Sequence, residues 1–210
     1  CMAICLPIGL SSALLLSGVL GTSQHSRFSH ICRQSLDVLA GVPSVVFGLF
    51  GNAFFCVYLG LGFSVLAGGL TLACMVLPFF IRSSEMALRS AANHHLQGSL
   101  ALGLSHTTLL RKILLPAALP GLVAGFVLAL ARALAETAAL LFTAGYVMRS
   151  PESLLDSGRV MSVHIFDLAM NVTGGEAQAY ATATLLLLSL AVINLGIALL
   201  ARQQQKRAGA

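Results

Sequence analysis

Five apolar runs, at 2–20, 38–59, 64–81, 117–143 and 179–201, fill about half of this 210-residue chain. Each is close to the roughly 20 residues that carry a helix across a bilayer. Lipid offers no water to an unpaired N–H or C=O, so a spanning segment must satisfy its own backbone. Such runs predict an all-α integral membrane bundle, in one transmembrane domain over 1–210. The make-up agrees: 57% of residues are hydrophobic and 9% charged, where a soluble domain carries about 25% charge. Only residues 60–63 separate the second and third runs, which therefore read as a tight hairpin. The chain opens on Cys1, already inside an apolar run, and reads as lacking an upstream helix. The first run has no basic segment before it and does not read as a signal peptide.

Lysine and arginine orient the bundle. Arg27, Arg33, Arg82, Arg89, Arg111, Lys112, Arg202, Lys206 and Arg207 fall on one side, and only Arg149 and Arg159 on the other. The positive-inside rule places the nine-residue side in the cytoplasm. The loop 82–116 and the C-terminus are then cytoplasmic, and the loop 144–178 is external. The basic tail at 202–207 suits lipid headgroups, and the net charge of +5 implies no nucleic-acid partner.

Arg132 and Glu136 are the only charges in the run 117–143. A charge at membrane depth costs roughly 2.5–3.5 kcal/mol on insertion scales, so such residues mark functional sites by default. In a continuous helix two opposite charges four apart meet on one face. Small residues flank them in two ridges, Ala117, Gly121, Gly125, Ala129 and Ala133 on one side, and Ala131, Ala135, Ala139 and Thr143 on the other. Small residues let membrane helices approach closely, so the pair is expected to face protein or a water-filled path. Arginine presents a planar fork of donors that suits an oxyanion, with Glu136 neutralising it when the path is empty. A salt bridge that fixes helix register is the alternative.

Other features exclude chemistry. The five cysteines lack metal or redox spacing, and no metal site is expected from the adjacent His94 and His95. All six histidines fall outside the apolar runs, which argues against an intramembrane serine–histidine hydrolase. No phosphate loop of the G-x-x-x-x-G-K-[S/T] type occurs, so this chain is not expected to be an enzyme. Asn52 and Asn194 are read as hydrogen-bonding between helices. Pro43, Pro78, Pro116 and Pro120 are candidate hinge points.

One stretch carries a family signal. Gln97, Gly98 and Ser99 are followed by three residues, then Gly103, nine residues, and Ile113-Leu114-Leu115-Pro116. This spacing resembles the EAA loop of ATP-binding-cassette importer permeases, with Gln97–Ser99 standing where Glu-Ala-Ala is usual. Gly103 suits a reversal between two short helices, and Pro116 suits the first turn of the next. The segment 39–51, Leu-Ala-Gly-Val-Pro-Ser-Val-Val-Phe-Gly-Leu-Phe-Gly, is similar to one found in phosphate-specific permeases. So are the segments 66–72 and 75–78, and Ala131-Arg132-Ala133-Leu134-Ala135-Glu136-Thr137-Ala138, where Ala135 and Ala139 replace the family's glycine and proline. Ser162–Phe166 is closer to the PstA-type subunit than to its PstC-type partner.

The resemblance implies a MetI-like permease bundle with five of six transmembrane helices present. It implies a multi-pass protein of the bacterial inner membrane and a path that includes Arg132, Glu136, Thr137 and Ser44. It makes Gln97, Gly98, Ser99, Gly103, Ile113, Leu115 and Pro116 the ATPase-coupling loop. It also implies a PstC-type second permease, ATPase subunits that carry the ATP and Mg, and an external phosphate-binding protein. The chain itself would hold no cofactor. A sulfate or molybdate permease is the nearest alternative; a stand-alone channel or secondary transporter leaves the loop pattern unexplained.

Overall fold

Where the apolar runs stop being helical decides how this chain folds. The structure, a computed structural model, describes residues 1–18, 27–101, 105–148 and 151–208. Among these residues there is no strand. The helices are α1 (Met2–Ser17), α2 (Arg27–Ala40), α3 (Ser44–Gly51), α4 (Val65–Ala101), α5 (His106–Leu109), α6 (Leu115–Ala135), α7 (Ala138–Leu141), α8 (Met161–Met170) and α9 (Glu176–Ala208). Two π-helical segments extend them: Asn52–Tyr58 continues α3, and Leu110–Leu114 joins α5 to α6. Val65–His94, Thr107–Ala135 and Glu176–Ile197 are each long and apolar enough to cross a membrane; Arg27–Ala40 and Ser44–Tyr58 meet that standard only when taken together.

These boundaries differ from the apolar runs in four places. The run 38–59 is not one helix. Pro43 takes φ −58° and ψ 140°, and a proline disfavours helical geometry at the residue before it, so α2 ends at Ala40 and α3 begins anew at Ser44. The run 117–143 breaks after Ala135. The helix that begins near residue 64 does not stop at 81; α4 continues to Ala101 through Pro78. The first helix ends at Ser17.

The chain divides into two compact units, each built from separated segments. The first comprises Cys1–Met2, Gly41–Val76 and Leu130–Ile193. Its hairpin turns on Gly60 (φ 69°) and Gly62 (φ 59°), left-handed values that only glycine takes freely. Backbone bonds from Leu59 N–H to Phe54 O (2.9 Å) and Gly62 N–H to Cys56 O (3.1 Å) close it. Ser64 Oγ then caps α4 by accepting from Ala67 N–H at 3.1 Å. The next free donors of α4 are also satisfied: Val65 N–H reaches Asp156 O (2.9 Å) and Leu66 N–H reaches Leu154 O (2.8 Å). Phe55, Cys56 and Ala67 form the buried centre beside Leu61, Leu70 and Cys74.

The second unit comprises Ala3–Ala40, Leu77–Ala129 and Asn194–Ala210. Its core gathers Ala13, Leu88, Ala91, Ala92, Leu109 and Leu114 with Ala118 and Leu122. The ridge read from the sequence is where α6 meets α4. A Cβ on Gly121 would lie 2.7 Å from Ala87 Cβ, and one on Gly125 would lie 3.1 Å from Ser83 Cβ. The two contacts run in opposite directions along the chain, so these parts of α4 and α6 are antiparallel. No residue of α2 is buried. Its apolar Phe28, Ile31, Val38 and Leu39 are exposed, while Arg33 and Asp37 bond to α4.

A larger side chain at Gly121 or Gly125 must push α4 and α6 apart, and overpacking of this kind costs roughly 1–3 kcal/mol. Gly121→Val is expected to lower the thermal midpoint of the purified protein's helical signal by several degrees, whereas Ala117→Val, at an exposed position, leaves it unchanged. Circular dichroism in detergent is the measurement.

Candidate functional site

The break between α6 and α7 places the charged residues. Glu136 leaves the helix, and its carboxylate Oε1 accepts from Ala139 N–H at 3.3 Å, capping α7. Its own carbonyl accepts from Ser162 Oγ at 2.7 Å. Arg132 stays in α6 and is exposed on the surface of this chain. Among the described residues no ion pair joins Arg132 to Glu136. The expected pairing therefore does not form. It required an unbroken helix, and the carboxylate is committed to α7 instead.

Ser44 reaches the same level from another direction. A Cβ on Gly48 would sit 2.9 Å from Ala139 Cα and 3.3 Å from Ala138 O. One turn later, Asn52 Nδ2 donates to Phe142 O at 2.7 Å, the interhelical role expected of it. The two helices thus run in the same direction. By this register Ser44, one turn before Gly48, comes level with the α6–α7 break. Thr137 sits in that break, and its carbonyl accepts from Leu141 N–H at 2.9 Å. So Ser44, Glu136 and Thr137 share one level of the first unit, with Arg132 one turn below in sequence. The start of α3, extended by its π-helical segment, brings the positive end of a helix to that level.

The coupling residues divide. Gln97, Gly98 and Ser99 lie in the last turns of α4; their side chains, and Gly103 altogether, lie outside the described residues. Ile113 and Leu115 are half-buried against the core of the second unit, on either side of the fully buried Leu114. Pro116 occupies the first turn of α6 and is exposed.

A polar cluster holds α8. Arg159 Nε donates to Tyr146 O (2.9 Å), and Nη1 lies 3.0 Å from Asp167 Oδ2 and 3.2 Å from His164 Nδ1. Beside it is a cavity of about 640 Å³ whose walls include Val65, Leu72, Leu140 and Ala144 with Arg159 and His164. Asn171 Nδ2, donating to Asp167 at 2.8 Å, and then the Arg159 charge hold the Asp167 carboxyl below the usual aspartate range. Among the described residues no three His, Cys, Asp or Glu side chains gather into a metal site.

Sequence reasoning missed the most enclosed charge among the described residues. Glu85 is fully buried. Its Oε1 lies 2.6 Å from Arg33 Nε and 3.8 Å from Arg89 Nη1, and its Oε2 lies 2.8 Å from Arg82 Nη1. Arg82 also forks onto Asp37 at 2.7 and 3.2 Å, and Arg33 Nη2 donates to Leu16 O at 2.6 Å. The signal available was the spacing of Arg82, Glu85 and Arg89, which stacks them on one helix face.

A depressed carboxyl contributes stability above its unfolded pKa and loses it as pH falls through its folded pKa. The anchoring of α8 by Asp167 is therefore present at neutral pH and lost in strong acid. Hydrogen-exchange protection of 161–170 is expected to fall as pH drops below about 4, and Asp167→Asn should remove that dependence.

Comparison with known proteins follows the same outline. Residues 6–209 match the family model described as "Binding-protein-dependent transport system inner membrane component". The chain is 30% identical over 209 residues to the "Probable ABC transporter permease protein YqgI" of Bacillus subtilis, covering 92% of this chain and 70% of that one. It is 41% identical over 130 residues to "Phosphate transport system permease protein PstA 2" of Mycobacterium bovis, covering 62% of this chain and 43% of the relative. "Phosphate transport system permease protein PstA 1" of Mycobacterium tuberculosis is 33% identical over 199 residues, covering 92% of this chain and 63% of its own. This chain thus spans about two fifths and two thirds of the two PstA relatives. A chain of the solved MetNI methionine ABC transporter superposes with a TM-score of 0.76 at 19% identity, over 95% of this chain and 87% of that one. That likeness establishes the MetI-like permease fold.

Proposed function

Because this chain belongs to the family of binding-protein-dependent transport system inner membrane components, we propose that it is one permease subunit of an ATP-driven importer whose cargo is inorganic phosphate. The observation that carries the cargo is Arg132, a guanidinium on an otherwise apolar helix that no carboxylate of its own chain neutralises among the described residues. Phosphate carries one to two negative charges at neutral pH, and a guanidinium fork matches its oxygens. The positive end of α3 at Ser44 adds to the same preference. The names of the PstA relatives support phosphate.

Arg132 is exposed on the isolated chain, which supports a path completed by a second permease subunit of the PstC type. In this reading Arg132 contacts the passing anion, Ser44 and Thr137 offer hydroxyls, and Glu136 keeps the break folded. ATP and Mg are held by separate ATPase subunits, docked at the segment from Gln97 to Pro116. An external phosphate-binding protein delivers the cargo. The positive-inside balance supports a bacterial inner-membrane protein with a cytoplasmic C-terminus.

Arg132→Leu, in a complex assembled to normal level, is expected to lower labelled phosphate uptake at least tenfold, because a hydrogen bond to a charged group is worth roughly 1.5–3 kcal/mol. Arg132→Lys keeps charge without the fork and should fall between. Undiminished uptake in the leucine variant overturns the assignment. Competition by unlabelled phosphate but not by sulfate or molybdate tests the cargo, and stronger competition by either of those reassigns it.

A further inference from the structure

α2 lies at the surface of the second unit. Its apolar Phe28, Ile31, Val38 and Leu39 face outward, and no residue of it joins the buried core. Two ionic rungs fasten it to α4. Arg33, one turn before Asp37 on α2, bonds to Glu85 (2.6 Å), and Asp37 bonds to Arg82 (2.7 and 3.2 Å). The rungs descend α4 as they climb α2, so the helices are antiparallel and locked in register. Glu85 is the keystone: it is fully buried, and it holds Arg33 from α2 and Arg82 and Arg89 from α4. Arg33 adds the last turn of α1 through Leu16 O (2.6 Å).

The position of the cluster in the chain gives it a role. α4 continues unbroken from Glu85 to Ala101, through Gln97, Gly98 and Ser99. α2 ends at Ala40, three residues before α3 opens with Ser44. Resting on the importer reading above, we infer that the Arg33–Glu85–Arg82–Asp37 cluster is a coupling latch that makes α2 follow α4, so that force on the segment bound by the ATPase reaches the start of α3. Glu85 is a positioning residue and does not touch cargo.

The test uses the whole complex, with its second permease and ATPase, in vesicles. Glu85→Gln preserves shape and removes the charge. Asp37→Asn breaks the exposed rung alone and leaves the buried carboxylate in place. Two readouts are taken: phosphate moved per ATP hydrolysed, and hydrogen exchange of the amides 27–40. Glu85→Gln is expected to lower phosphate per ATP at least about fivefold, the lower end of measured coupling between sites. ATP hydrolysis should continue and exchange in α2 should rise; Asp37→Asn should give a smaller change in the same direction. A merely structural role would reduce the amount of complex and leave the ratio unchanged. The latch is overturned if α2 exchange is unaltered in both variants, or if the ratio stays at the wild-type value. It is equally overturned if Glu85→Gln fails to assemble while Asp37→Asn keeps the wild-type ratio. A wild-type complex that hydrolyses ATP but moves no phosphate sinks the functional reading instead, and the exchange readout still decides the latch.

Discussion

A backbone N–H or C=O that leaves a helix inside lipid has no water to turn to, and each one left unpaired costs several kcal/mol. A related constraint, that helix ends need partners for their free backbone groups, bears on several polar contacts in this chain. The helices stop at several points, and some of these stops are met by named donors or acceptors. Ser64 and the carbonyls of Leu154 and Asp156 serve the start of α4. Asn52 serves the carbonyl of Phe142, and Ser162 that of Glu136. Arg33 serves Leu16. The break that frees Glu136 is stable because α8 supplies a hydroxyl and Glu136 supplies its own carboxylate.

The charges between α2 and α4 follow a related accounting. A fully buried carboxylate survives only when well paired, since losing one partner of a buried ion pair costs about 3–5 kcal/mol. Glu85 has two arginines within 2.8 Å and a third at 3.8 Å. Replacing the set by apolar residues of similar volume would often be neutral for stability. Its worth lies in register: two rungs one turn apart fix α2 against α4 more sharply than apolar contact, which lets helices slide.

Periodicity made the apolar helices and the small-residue ridge legible, because both rest on composition and a repeat of about four residues. Gly121 and Gly125 are close contacts to α4, as four-residue spacing predicted. The stops were less legible. Gly41 and Pro43 carried a visible signal that an apolar run overrode. Ala135-Glu136-Thr137-Ala138 carries no glycine or proline of its own, and a partner of the break, Ser162, lies 26 residues later. The Arg33–Glu85 bond joins residues 52 apart, beyond any local pattern. Ser44, Glu136 and Thr137 come to one level of the first unit, but among the described residues Arg132 and Glu136 are not partners. The pairing rule for residues four apart applies only while the helix between them lasts.

The lost pair changes what Arg132 can do. Had Glu136 neutralised it, an incoming anion would have had to displace a carboxylate held on the same helix, and would have recovered only the difference between the two interactions. With the carboxylate committed to Ala139 N–H, the guanidinium, under the proposed reading, would keep its full field for a passing anion. A bare arginine at membrane depth is costly, which binds the site to company: water in a path, the anion itself, or a partner surface that completes the walls. Under the proposed reading Glu136 shapes the break. Removing its carboxylate should disturb the position of α7, and with it the level that Ser44 and Thr137 share, without changing the charge on Arg132. In the proposed function Arg132 and Glu136 therefore separate into a binding role and a positioning role, although their spacing in the sequence suggested one.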